Sequence, residues 1–177
     1  MRLFPASVDK HMPDVRLRSA KPADALTIER VARESWHAAY DDFLSEGTVD
    51  EVVDEWYDLD GLRDAAGDDE QVLIVATGNN DVRGFAHAAP GPERGAWHLL
   101  RIYVVPDYWH EGIGTALLER IEDDLEARGV PAYELAVLAA NDIGVSFYES
   151  HGFERFETEK AELAGAEVTQ HRYRKEF

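Results

Sequence analysis

The chain has 177 residues, and its 36 acidic side chains against 18 lysines and arginines give a formal charge of -18. That length suits one domain, and the acidity argues against an electrostatic footprint on nucleic acid or on an anionic membrane. Cysteine is absent, which excludes a disulfide framework, a thiol nucleophile and a thiolate metal site.

Residues 1–13 read as a flexible arm containing Pro5 and Pro13, and 14–177 as the folded domain. Charge arrives at Asp9 and Lys10 before any apolar run forms, and no stretch reaches the ~20 apolar residues that cross a bilayer. No secretory leader and a cytoplasmic location are therefore expected. A strand is predicted at 14–19. Over 22–40, Ala25, Ile28, Val31, Ala32, Trp36 and Ala39 recur at helical spacing, with Pro22 at the first turn. Thr48 and Glu51 read as a capping box for a second helix carrying Val49, Val52, Val53 and Trp56. A further helical turn or two fits 62–66. The texture then turns extended: 71–77 and 82–89 flank the Gly78-Asn79-Asn80-Asp81 turn as a hairpin, and a strand at 96–105 ends at Pro106. Ile113, Leu117, Leu118, Ile121 and Leu125 make the buried stripe of a helix over 112–128, closed by Gly129. A strand at 132–138, a short helix from Asn141 to about 150, and extended runs at 153–163 and 168–177 complete the chain. This order predicts helices on both faces of one mixed sheet.

The sharpest local feature is Trp109-His110-Glu111-Gly112-Ile113-Gly114-Thr115-Ala116, between the strand at 96–105 and its helix. Glycine lets backbone approach a ligand closely, and the first amides of a helix have no internal acceptors and can face a phosphate. The same glycines could serve only a tight turn. Leu117 breaks the dinucleotide fingerprint, and the Gly-Lys-Ser/Thr phosphate grip is missing.

This stretch resembles the central motif of the GNAT superfamily of N-acetyltransferases, Arg/Gln-x-x-Gly-x-Gly/Ala, with Gly112 and Gly114 at the small positions and Trp109 where Arg or Gln is usual. Asn141, the short helix and Phe147-Tyr148 followed by Gly152-Phe153 resemble the family's second motif, in the expected order. The resemblance implies a single-domain α/β fold: a mixed, mostly antiparallel sheet of about seven strands flanked by about four helices. It also implies acetyl-coenzyme A as donor, bound by Ile102, Tyr103, Val104 and Val105 of the central strand, by residues 109–116, and by Asn141, Ser146 and Tyr148.

The implied reaction is direct attack of a primary amine on the thioester, without an enzyme nucleophile and without metal. Orientation supplies much of the acceleration, and a backbone amide within 103–105 is the candidate oxyanion donor. Tyr148 matches the general acid near the cofactor sulfur. His98, His87 and Glu93 are the candidates for the base. Trp36 and Tyr40 are candidate linings of the acceptor pocket, and both read equally as core. The acceptor is a small amine or a protein amino terminus. A non-catalytic acyl-coenzyme A-binding or regulatory protein on the same fold is the alternative. Strand edges leave room for a homodimer. The acid excess, with lysine only at positions 10, 21, 160 and 175, reads either as a solvated surface or as adaptation to a salty cytoplasm.

Overall fold

The computed structural model describes residues 14–177, so the N-terminal arm expected at 1–13 lies outside the described residues. After β1 (Arg16–Ser19) a 3-10 turn at Pro22–Asp24 leads into α1 (Ala25–Tyr40), whose buried stripe is the one its spacing predicts. Arg18 grips Asp24 with two hydrogen bonds of 2.8 and 2.9 Å and fixes this entry. The second helix starts earlier than the Thr48–Glu51 pattern predicts. Ser45 is the cap, its hydroxyl accepting from the Thr48 amide at 3.1 Å, and α2 runs Glu46–Trp56. A full third helix, α3 (Leu59–Ala66), follows, because Asp58 caps it by accepting from the Gly61 amide at 2.7 Å. Among the described residues there are thus five α-helices of eight or more residues, close to the four or so expected.

The strands are β2 (Val72–Gly78), β3 (Asp81–Pro90), β4 (Trp97–Val104), β5 (Ala132–Leu138), β6 (Glu154–Leu163) and β7 (Ala166–Glu176), with α4 (Ile113–Ala127) and α5 (Asp142–Ser150) on either side of β5 in the chain. They form one seven-stranded sheet in the order β1-β2-β3-β4-β5-β7-β6. Every neighbouring pair is antiparallel except β4 with β5, which is the mixed, mostly antiparallel sheet the sequence predicts. Asn79 and Asn80 both take positive φ, so the β2–β3 connection has the handedness that matches strand twist.

Apolar side chains cover both faces. On one, α1, α2 and α3 pack on Leu73, Val75 and Phe85; on the other, α4 packs on Ile74, Ala76, Ala86 and Leu99. Among the described residues no helix is long and apolar enough to cross a membrane.

Candidate active site

The site begins as a fault in the sheet. β4 and β5 run parallel but share one register pair, His98 with Glu134. Past that point they diverge, and a cavity of about 710 Å³ opens between residues 99–104 of β4 and 135–138 of β5. β4 is further distorted: His87 pairs with Arg101 and Ala88 with Leu99, so Leu100 is an extra residue bulged from the ladder, 51% exposed on the cavity wall.

Beyond the bulge the alternation is regular. The Val105 amide donates to the Arg83 carbonyl at 2.8 Å, toward β3. Two-residue periodicity turns the amides of Ile102 and Val104 the other way, toward the gap, where no β5 residue is paired with them. Of the candidate donors at 103–105, the register thus favours Val104 and turns Tyr103 and Val105 away. Side chains alternate as well: Tyr103 and Val105 pack with the α1 cluster, Ile102 and Val104 with the α4 cluster.

At the end of β4 a 3-10 turn, Pro106–Tyr108, leads to Trp109. The Trp109 indole N–H donates to the Val104 carbonyl at 2.7 Å, and the buried Ser35 hydroxyl donates to the same oxygen at 3.0 Å. Where the family motif usually has a charged or amide side chain, this chain therefore has a brace on the strand end. His110 and Gly112 both take left-handed backbone, φ 63° and 89°. α4 then opens with no side-chain cap and no acidic residue in its first turn, and its first backbone bond runs from the Ala116 amide to the Gly112 carbonyl at 3.0 Å. The amides of Ile113, Gly114 and Thr115 are left as donors. α2, α3 and α5 each begin with a side-chain cap, and α1, which has none, continues directly from the 3-10 turn at Pro22–Asp24; α4 alone opens uncapped from a left-handed glycine among the described residues. Neutral donors with no competing carboxylate in that first turn suit a phosphate.

Besides Tyr108 of the 3-10 turn, four tyrosines converge on the cavity from different parts of the chain. Tyr40 ends α1, Tyr57 follows α2, Tyr103 is on β4 and Tyr148 on α5, and all four line it. The Trp36 indole donates to the Tyr57 hydroxyl at 3.0 Å, and Trp36 packs against Tyr40 with ring centroids 4.5 Å apart and the rings tilted by 48°. Asn141 does two things: its carbonyl oxygen accepts from the Gly144 amide at 2.9 Å, capping α5, and its amide donates to the Tyr40 hydroxyl at 3.0 Å. Burial raises all four phenols above their ordinary value, Tyr40 to about 12, and the neighbouring tyrosines push Tyr103 and Tyr148 up further. The Tyr148 hydroxyl has no protein hydrogen-bond partner among the described residues.

The remaining expected site residues separate by position. Trp36, Tyr40, His98, Ile102, Tyr103, Val104, Trp109, Gly114, Asn141 and Tyr148 line the cavity. Val105, Gly112, Ile113, Thr115 and Ala116 lie behind or at the helix mouth, and His110, Glu111 and Ser146 are exposed outside it. The three base candidates do not meet. His98 is on the wall, packed against Gly91. His87 is 4% exposed in β3, its Nε2 2.7 Å from Gln71 Oε1, with Nδ1 unpartnered; burial and the nearby Arg101 lower its pKa to about 4. Glu93 is exposed in the loop before β4, away from the cavity. Tyr57 was missed in sequence; its spacing four residues after Val53 was the available signal. Among the described residues no group of three or more histidines, aspartates and glutamates is placed to hold a metal.

Residues 32–153 match the acetyltransferase (GNAT) family. The chain belongs to that family. It is 28% identical over 153 residues to the spermidine N(1)-acetyltransferase of Thermoplasma acidophilum, covering 84% of this chain and 94% of that protein. Over 55 residues it is 49% identical to an Escherichia coli enzyme that acetylates an alanine of a ribosomal protein, a match spanning 31% of this chain and 37% of that one. Among solved structures, the PaiA N-acetyltransferase of T. acidophilum in complex with coenzyme A superposes with a TM-score of 0.80 at 26% identity, covering 92% of this chain and 99% of that one. The protein is thus a GNAT acetyltransferase.

Proposed function

We propose that the protein transfers an acetyl group from acetyl-coenzyme A to a primary amine, with Tyr148 as the general acid. The observation that carries this reading is the unpartnered Tyr148 hydroxyl on the wall of a cleft whose other end is an uncapped, glycine-opened helix. Relatives support the donor and the amine: one similar structure is a coenzyme A complex, and the relatives named above acetylate spermidine and a protein alanine.

Bound acetyl-coenzyme A supplies an acetyl thioester whose carbonyl the amine attacks. The amides of Ile113, Gly114 and Thr115 hold its pyrophosphate, and the open edges of β4 and β5 take the pantetheine arm. The Val104 amide, fixed by the Trp109 and Ser35 bonds to its own carbonyl, donates to the oxygen on which negative charge grows. The raised Tyr148 phenol stays protonated at neutral pH, so it acts as a proton donor to the departing sulfur rather than as a base. His98, alone of the three base candidates, reaches the wall and takes the proton of the incoming ammonium through water.

Two measurements test this. Calorimetry with acetyl-coenzyme A should show binding in high salt, and thiol release should then depend on added amine. Tyr148→Phe should lower kcat about 10- to 100-fold while leaving the melting temperature and donor affinity close to wild type. An unchanged kcat removes the general acid role. Donor binding without transfer to any amine favours the non-catalytic reading.

A further inference from the structure

Arg101 is an unpaired cation in a chain that has two acids for every base. It is half-buried on the cavity wall, and among the described residues its guanidinium makes neither a salt bridge nor a hydrogen bond. Its nitrogens are not sealed off, since the only buried, unpartnered side-chain polar atom among the described residues is His87 Nδ1. Most other partly buried arginines have found carboxylates: Arg18 holds Asp24, Arg33 holds Glu29 and Asp50, Arg120 holds Asp124 and Arg172 holds Glu134. Arg83 also lacks an ion pair among the described residues and lies over the Tyr108 ring, but unlike Arg101 it does not line the cavity. The fork is nonetheless held in place. It lies over the Tyr57 ring, 4.4 Å from the centroid, and Tyr57 is anchored by Trp36.

Its position separates it from the donor's phosphates. Arg101 shares the strand face of Tyr103, toward α1 and Tyr57, whereas the helix mouth lies beyond Val104, ~10 Å further along at ~3.3 Å per residue. An acetyl thioester carries no anion at this end. Neighbouring groups do not neutralise the guanidinium: His87 is uncharged, and the cavity's acids, Asp42 and Asp142, are exposed at its rim and form no ion pair with it.

We infer that Arg101 holds a carboxylate of the acceptor, so that the substrate class is an amine bearing a carboxylate, of amino-acid type, rather than a bare polyamine. A fixed, planar fork open to the cavity binds a carboxylate through two parallel bonds and leaves the amine end of the acceptor free to face the thioester. This inference rests on the acetyl-transfer reading and adds the acceptor to it.

The test compares matched acceptors: 4-aminobutyrate against n-butylamine, lysine against 1,5-diaminopentane, and trialanine amide as a peptide terminus without a carboxylate. In wild type, kcat/KM for the carboxylated member of each pair should exceed that of its partner roughly tenfold, and Arg101→Gln should reduce that ratio by a similar factor. Donor affinity by calorimetry checks the fold; if the Gln variant fails it, Arg101→Lys should still lower the ratio severalfold. A wild-type ratio near one, a ratio unmoved in the variants, or trialanine amide acetylated as fast as the amino acids overturns the inference. Robust transfer to the bare amines in those cases leaves the acetyltransferase reading standing, whereas no transfer and no donor heat would remove both.

Discussion

His37 shows how single side chains join the helices that wall the cavity. Its Nδ1 lies 2.8 Å from Asp41 and its Nε2 2.9 Å from Asp50, so one imidazole links the end of α1 to α2. The hydrogen bond to Asp41 is the larger cause of its raised pKa, opposed by burial and helped by Asp50. A cation held this way stabilises the fold fully below the ordinary value of 6.5, and that contribution fades as pH rises through the raised folded value. Both carboxylates stay open to solvent, so the link is weak. His37→Ala should therefore melt lower than wild type at about pH 5.5, and the gap should close by about pH 9. A gap that widened with pH would mean the imidazole acts as a neutral spacer. Tyr148 is the opposite case: its phenol is pushed up, so the rate should show no tyrosine limb up to about the ordinary phenol value of 10.

At the scale of elements, the two glycines of the α4 mouth have different jobs. Gly112 has φ 89° and nothing within 4 Å of an added Cβ, so a substitution there meets strain rather than a clash. Gly112→Ala should cost about 1–2 kcal/mol, or about 3–6 °C in melting temperature for a chain of this size, and should weaken donor binding by tilting the first amides. Gly114 takes helical backbone, and its added Cβ would sit 3.5 Å from the Phe147 ring, an ordinary contact. Gly114→Ala should hold or raise stability by up to about 1 kcal/mol. Equal losses from both would contradict the division. The long elements were legible because their periods repeat: α1 and α4 show their buried stripes, and β4 is bounded by Gly95 and Pro106. Short elements were not. α3 is only eight residues, and Ser45 is a cap hidden by a better-looking pattern at Thr48. Within the candidate site, the glycine mouth, Asn141 and Tyr148 are local in sequence and could be proposed from it, and Gly114, Asn141 and Tyr148 line the cavity. The cavity comes from β4 parting from β5, and neither that divergence nor the Leu100 bulge leaves a local trace. The same long-range register set His87 apart from His98, two strand histidines with equal claims in sequence.

Over the whole molecule the net charge dominates. If every one of the 18 lysines and arginines were paired one-to-one, half of the 36 carboxylates would still have no basic partner. Salt acts on both populations. It weakens the surface pairs, most of which are partly exposed and contribute at most ~1 kcal/mol each. It also screens the repulsion among the unpaired acids, with a Debye length falling from ~10 Å at 0.1 M to ~3 Å at 1 M. Repulsion acts between many carboxylates at once and over longer distances than the contact pairs, so relief of repulsion should win. The melting temperature should rise steadily between low salt and molar KCl, and donor affinity, which brings several phosphates to an acidic protein, should rise with it. Sodium chloride at the same ionic strength should act alike if screening is the cause. A melt that was flat or falling with salt would show that ion pairs outweigh the excess acid, and would remove the reading of this surface as one adapted to a salty interior.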